Sequence, residues 1–223
     1  MQSKTTILLT CTVNINPTKS WVFQRHGKDR FETYMKSITQ WLTKTNFTIV
    51  VVENSGFDFK PLLQEQIREY SHRLEIIGFR ESDVAEAAYL KNNDSKGASE
   101  VFAIQYALSR SRFMDEQQTN FVIKVTGRFF IPELESYLSQ FDLSKYDCLT
   151  QNNRSECQMV GSHIKNVAHI FAIHLRNQHN QYDGHIENIW HYRTSCYPNI
   201  IVCKPFAIEP TQQGGINRMV TII

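Results

Sequence analysis

Long hydrophobic runs are missing from this chain. No stretch approaches the ~20 apolar residues of a membrane span, and the run Ile7 to Leu9 near the N-terminus is too short for a signal-peptide core. The expected compartment is therefore the cytoplasm. Charge of one sign is missing too: a net charge of +2, with dispersed cations and no basic stripe interleaved with aromatics, gives no reason to expect a nucleic-acid partner. The phosphate-loop spacing G-x-x-x-x-G-K-[ST] is absent, which removes support for ATP-dependent phosphoryl transfer. No G-x-G-x-x-G follows the first strand-like run, so a nicotinamide dehydrogenase is not expected. The five cysteines (Cys11, Cys148, Cys157, Cys196, Cys203) are odd in number, and none sits at zinc-knuckle or redox-pair spacing. Cys11 and Cys148 lie in apolar runs, where free cysteine behaves as a small hydrophobe, and disulfides are not expected. Repeats, low-complexity tracts and linkers are also lacking, so residues 1–223 are expected to form one domain.

What remains is an ordinary globular composition, 41% hydrophobic and 21% charged, arranged as strands alternating with amphipathic helices. Strands are predicted at Thr6 to Val13, Phe47 to Glu53, Leu74 to Gly78, Phe121 to Val125, Tyr146 to Thr150 and Ile200 to Cys203. The unbroken β-branched character of Thr48-Ile-Val-Val-Val52 is what a strand covered on both faces requires. Helical spacing predicts helices at Phe31 to Leu42, Pro61 to Tyr70, Ser99 to Leu108, Ile131 to Leu138, His163 to Asn177 and Gly184 to Tyr192. The irregular stretch 79–95 reads as a mobile loop. Such alternation predicts an α/β fold with a mostly parallel central sheet flanked by helices, its ligands at the carboxyl ends of the strands.

Those ends are polar: Thr10-Cys-Thr12-Val-Asn14, then Glu53-Asn54-Ser55-Gly56, then Lys124-Val-Thr126-Gly127-Arg128. They suit a nucleotide's base, ribose and phosphates, although strand ends meet loops and loops are polar in any protein. A lysine inside an apolar strand is costly unless its ammonium reaches an anion or solvent. Gly127 followed by Arg128 lets the backbone approach a ligand and presents a planar cationic fork to a pyrophosphate or carboxylate. Two plainer arrangements stay open: Lys124 snorkelling to the surface, and Arg128 pairing with Glu133 or Glu135. Lys96-Gly97-Ala-Ser-Glu100 opens a helix and offers amides and a lysine to phosphate, while Ser99 can equally be an N-cap with Glu100 on the helix dipole. In Asp183-Gly-His-Ile-Glu-Asn-Ile-Trp-His-Tyr192 a carboxylate is placed to act as a general base, with His185 and His191 as acid/base candidates. The histidines from His169 to His191 are open to a zinc reading, but their spacing does not align them on one helical face, and half-buried helix positions explain them equally.

Taken together, these segments resemble small glycosyltransferases of the GT-A type, such as occur in bacterial surface-glycan clusters and in large viruses of algae and protists. The resemblance spans about Thr6 to Tyr192, and Gln212-Gln-Gly-Gly-Ile-Asn-Arg218 is similar to C-terminal loops that close over the site in such enzymes. It implies a nucleotide-sugar donor across the rim, a glycan or other hydroxyl acceptor, Lys96, Lys124 and Arg128 near the donor diphosphate, and Glu187 as the base. Such enzymes commonly hold Mn2+ or Mg2+ with an Asp-x-Asp motif, which this chain lacks; Thr126-Gly127-Arg128 takes its place, and cationic side chains can neutralise the leaving diphosphate instead. Asp94 and Asp147 are the remaining acidic candidates for a metal. A non-catalytic α/β module that binds a nucleotide or a protein is the alternative, and a metal-dependent hydrolase a third.

Overall fold

A computed structural model describes residues 4–20 and 22–223. The elements run β1 (Thr5–Cys11), α1 (Gly27–Lys44), β2 (Thr48–Glu53), α2 (Gln64–Glu69), β3 (Leu74–Gly78), α3 (Lys96–Leu108) and β4 (Phe121–Thr126). They continue with α4 (Leu134–Leu138), β5 (Cys148–Thr150), β6 (Met159–His163), α5 (Val167–Ile170), α6 (Ile186–Ser195), β7 (Ile200–Val202), β8 (Ala207–Gln212) and β9 (Met219–Ile222). Seven strands form one sheet in the order β3-β2-β1-β4-β6-β5-β7, and β8 and β9 form a separate hairpin. Pairings are parallel except those β6 makes with β4 and β5, so six strands point one way. The expected architecture, a mostly parallel sheet between helices, is what the chain adopts.

Both faces of the sheet are covered, which is why β1 and β2 read as continuous apolar runs. On one face Ile7, Leu9, Ile49 and Val51 meet Tyr34, Ile38, Trp41 and Leu42 of α1 together with α4 and the hairpin. On the other, Leu8, Val50, Val52 and Val122 meet α3, α5 and α6. Burying each such side chain contributes roughly 1.5–3 kcal/mol. No helix among the described residues is long and apolar enough to cross a membrane.

Four expectations need correction. The predicted helix at 163–177 is mostly not helical: Met159 to His163 is the antiparallel strand β6, and only Val167–Ile170 is α-helical. The alternation of β6 is hidden because Gly161 must be small; a Cβ there would lie 2.8 Å from the Phe121 ring and 3.0 Å from Leu149. Beyond α5 the carbonyls of Ile170, Ala172 and His174 turn to the buried guanidinium of Arg193 instead of continuing a helix. Second, α3 starts at Lys96 with Ser95 as its N-cap, whose hydroxyl accepts from the Ala98 amide at 3.2 Å, so Ser99 is not the cap. Third, the stretch 61–70 splits into a 3-10 turn at Lys60–Leu62 and the short α2. Fourth, 79–95 is not irregular. It contains 3-10 turns at Glu81–Asp83 and Ala85–Leu90, tied down by Lys19, whose ammonium donates to Asn93 O at 2.7 Å and meets Glu81 at 3.6 Å. The hairpin β8–β9 was not anticipated.

Candidate functional site

Parallel pairing brings the carboxyl ends of β1, β2 and β4 to one rim, with Thr10 opposite both Val52 and Thr126. Glu53 is buried there and binds the loops together. Its carboxylate accepts from the amides of Val13 (3.0 Å), Ser55 (3.0 Å) and Phe57 (2.9 Å) and from the Ser55 hydroxyl. Burial raises its pKa, and these hydrogen bonds pull it back. Any ligand contact to Glu53 has to displace one of those donors. Around it, the Thr12 hydroxyl donates to Asn54 Oδ1 at 2.6 Å, the Asn14 amide to Ser55 Oγ at 2.9 Å, and Asn54 Nδ2 to Glu81 at 3.4 Å. At the first two strand ends Glu53, Ser55 and Asn14 are thus bonded in one set and Thr12 and Asn54 in another, while the Thr10 hydroxyl turns to Glu100.

On the α3 side of the rim two sequence motifs meet. Lys124 is 0% exposed, and its ammonium lies 2.8 Å from Glu100 Oε1. It donates also to Thr126 Oγ1 (3.1 Å) and Cys157 O (2.8 Å) and sits 4.8 Å from the centre of the Trp190 ring. Thr10 donates to the same Glu100 oxygen at 2.7 Å. Lys124 therefore does not snorkel; a carboxylate of its own chain answers it. Gly127 serves the packing as well. A Cβ at that position would stand 2.4 Å from Cys11 Sγ and 2.8 Å from Thr10 O, so the close approach it permits is to β1 and not to a ligand.

Lys96 stands exposed at the mouth of this side. Desolvation nevertheless lowers its pKa, against the pull of the Glu187 and Glu100 carboxylates. Gly97 lies against Ile186, where a Cβ would come within 2.8 Å, and Ser95 Oγ donates to Gly184 O at 3.0 Å. These contacts dock the start of α6 on the start of α3 and bring Glu187 to the rim, where it accepts from Cys157 Sγ at 3.4 Å. Burial pushes the Cys157 thiol well above the ordinary range. His185 is exposed just before α6, its amide on Asp183 Oδ1 at 2.8 Å.

On the α1 side stands Arg128, 7% exposed. It does not pair with Glu133 or Glu135; NH1 donates to Gln24 Oε1 (3.1 Å) and Gln212 O (3.2 Å), and NH2 to the Tyr34 hydroxyl (3.5 Å). Arg30, also buried, donates to that hydroxyl at 2.7 Å and to Thr12 O at 2.6 Å. Burial lowers the pKa of Arg30, and Arg128 adds to the effect. The C-terminal hairpin covers Arg128: Gly214 lies against its guanidinium and accepts from the Phe23 amide at 2.9 Å, and Arg218 meets Glu156 at 2.8 Å. The segment 212–218 thus reaches the rim. A groove of about 320 Å³ between α1 and the hairpin, lined by Lys36, Gln40, Phe130 and Glu209 among others, ends at Arg128.

Sequence reasoning passed over Arg30 and Tyr34, though their signal was present. Residues 30, 34, 38 and 41 lie on one helical face, and an arginine on an otherwise buried stripe asks for a reason. The acidic candidates for a metal do not converge. Asp94 accepts from Ser20 at 2.9 Å, and Asp147 precedes β5 at the opposite rim, bonded to Asn199 at 3.1 Å. Among the described residues no three His, Cys, Asp or Glu side chains come together to hold a metal ion, the histidines of the 169–191 segment included.

No family model and no curated protein matches this sequence. Solved structures do. The bifunctional glycosyltransferase WbbM superposes with a TM-score of 0.52 at 9% identity, over 91% of this chain and 39% of that one. The glycosyltransferase GlyE of Streptococcus pneumoniae gives a TM-score of 0.52 at 10% identity, over 91% of this chain and 46% of its own. The chain spans less than half the length of either. Its fold is the one these glycosyltransferases share, in agreement with the GT-A resemblance seen in the sequence.

Proposed function

We propose that this chain, acting as one glycosyltransferase-like domain, moves a hexosyl or pentosyl group from a nucleotide-diphosphate-sugar donor to a hydroxyl of a glycan or other acceptor. The observation that carries the proposal is Arg128: a buried guanidinium with no carboxylate partner among the described residues, at the ligand rim of a sheet whose fold is shared with glycosyltransferases. Charge builds on the nucleoside diphosphate as its bond to the sugar breaks, and fixed cations stabilise it without reorganisation. Arg128 and Lys96 take that role, with no step assigned to a metal. Thr12, Asn14, Asn54 and Ser55 offer hydroxyls and amides to the base and ribose. Lys124 acts through Glu100, holding α3 and Thr10 in place. Glu187 takes the proton of the acceptor hydroxyl, as an inverting transfer requires, with His185 beside it. The expected setting is the cytoplasm.

A thermal-shift screen of UDP, GDP, CDP and their sugar conjugates, each with and without Mn2+, tests the proposal. One nucleoside diphosphate is expected to raise the melting temperature; millimolar concentrations of all of them without effect would sink the idea. Glu187→Gln should keep that shift while turnover falls by at least about a hundredfold. Binding without turnover, indifferent to Glu187→Gln, would instead identify a non-catalytic module.

A further inference from the structure

We infer that Arg30 and Arg128 form a single oxyanion site, roofed by the oxygens of Gln24 and Gln212, in which Arg30 joins Arg128 on the donor diphosphate. The inference rests on the donor reading above, because that diphosphate is the anion the site takes.

Two buried like charges meet at one phenol oxygen: Arg30 NH2 at 2.7 Å and Arg128 NH2 at 3.5 Å from Tyr34 Oη. Neither has a carboxylate within 4.0 Å among the described residues, and Glu53, on the neighbouring strand, already serves four donors. The other buried cations are provided for differently. Lys124 has Glu100 and Lys19 has Glu81; Arg193 serves carbonyls, as Arg30 serves Thr12 O and Gln24 O (3.3 Å), but stands apart from other cations. Holding two guanidiniums together out of water is unfavourable unless negative charge joins them.

The groups now facing Arg128 are neutral oxygens set where phosphate oxygens would accept: Gln24 Oε1 at 3.1 Å and Gln212 O at 3.2 Å. Phosphate oxygens add full opposite charge and bidentate geometry to what neutral oxygens offer a guanidinium, so a diphosphate displaces them. The Gln24 amide leaves by rotation of its side chain. Gln212 belongs to a hairpin end that continues into Gly214-Gly215; its displacement releases the bond from the Phe23 amide to Gly214 O (2.9 Å), and the glycine pair carries no side chain to obstruct it. Tyr34, receiving from Arg30 and donating to Thr12 O at 3.3 Å, fixes Arg30 toward Arg128.

Isothermal titration of the whole chain with inorganic pyrophosphate, and separately with UDP, GDP and CDP, tests this. Wild type is expected to bind pyrophosphate, and Arg30→Gln to bind at least about tenfold more weakly while melting as a folded protein. Gln24→Ala, which removes one roof oxygen, should bind several-fold more tightly. Equal affinity of Arg30→Gln and wild type overturns the inference. So does nucleoside diphosphate binding by wild type with no pyrophosphate binding, although the donor reading then stands. Pyrophosphate binding lost in Arg30→Gln, with no nucleoside diphosphate bound, supports the two-arginine site and sinks the donor reading. If Arg30→Gln does not fold, Gln24→Ala decides: affinity unchanged or weakened overturns the inference.

Discussion

Lys124 and Arg128 leave the same short stretch of chain toward opposite faces of the sheet, one to α3 and α6, the other to α1 and the hairpin. Both are buried and each lies over an aromatic ring, but Lys124 has a carboxylate at 2.8 Å, whereas Arg128 has a phenol, an amide and a carbonyl. A buried cation whose charge is answered within the chain is part of the frame. One whose charge is answered only by dipoles is complete when something negative arrives. The contrast shows how two cations that look alike in sequence can hold different duties.

The largest test removes the partner on the paired side. Glu100→Ala leaves Lys124 buried without an acid and is expected to cost about 3–5 kcal/mol of stability, read from chemical denaturation, with the double replacement Glu100→Met and Lys124→Met recovering most of it. A loss below about 1 kcal/mol would erase the distinction, since loss of that order is typical of an exposed pair. On the other side the pattern should invert. Arg128→Gln is expected to weaken nucleoside diphosphate binding about a hundredfold while the melting temperature holds or rises, because an uncompensated charge has been removed. A collapse of stability would instead place Arg128 in the frame with Lys124. The smallest effect concerns Lys96, between the two. Its pKa is depressed, so its charge is present below that lowered value and lost as pH rises past it. Donor affinity should therefore decline at a lower pH than an ordinary lysine would allow, and Lys96→Arg should remove the decline.

Much of this frame was legible. The β-branched run at 48–52 and the stripe Tyr34-Ile38-Trp41 could each mean only one thing, and the alternation of strand and helix gave the layered sheet. The polar strand ends were visible as well, since parallel strands must deliver their carboxyl ends to one rim. Partnership was not legible. Nothing local in Lys124 says that Glu100, a helix away, will neutralise it, and nothing in Gly127 says that the atoms pressing on it are those of Cys11. The antiparallel β6 was lost because Gly161 and Ser162 break the apolar alternation, and the hairpin because β8 carries Pro210 and fully buries only Ile208.

The main chain beside Arg128 is held on every side: the Gly127 amide by Thr10 O at 2.9 Å, the Phe129 amide by Thr126 O at 3.0 Å, and Phe129 O by the Trp41 indole at 2.9 Å. The cover is held by fewer ties to the body: the Phe23 amide on Gly214 O at 2.9 Å and Arg218 on Glu156 at 2.8 Å. Floor and cover thus divide the labour in time. A ligand's fit is expected to follow from a surface that does not wait for it, and the speed of its arrival and departure from the few ties that hold the hairpin tip. Changes at Gly215 should therefore alter rates before they alter preferences, and changes at Trp41 the reverse.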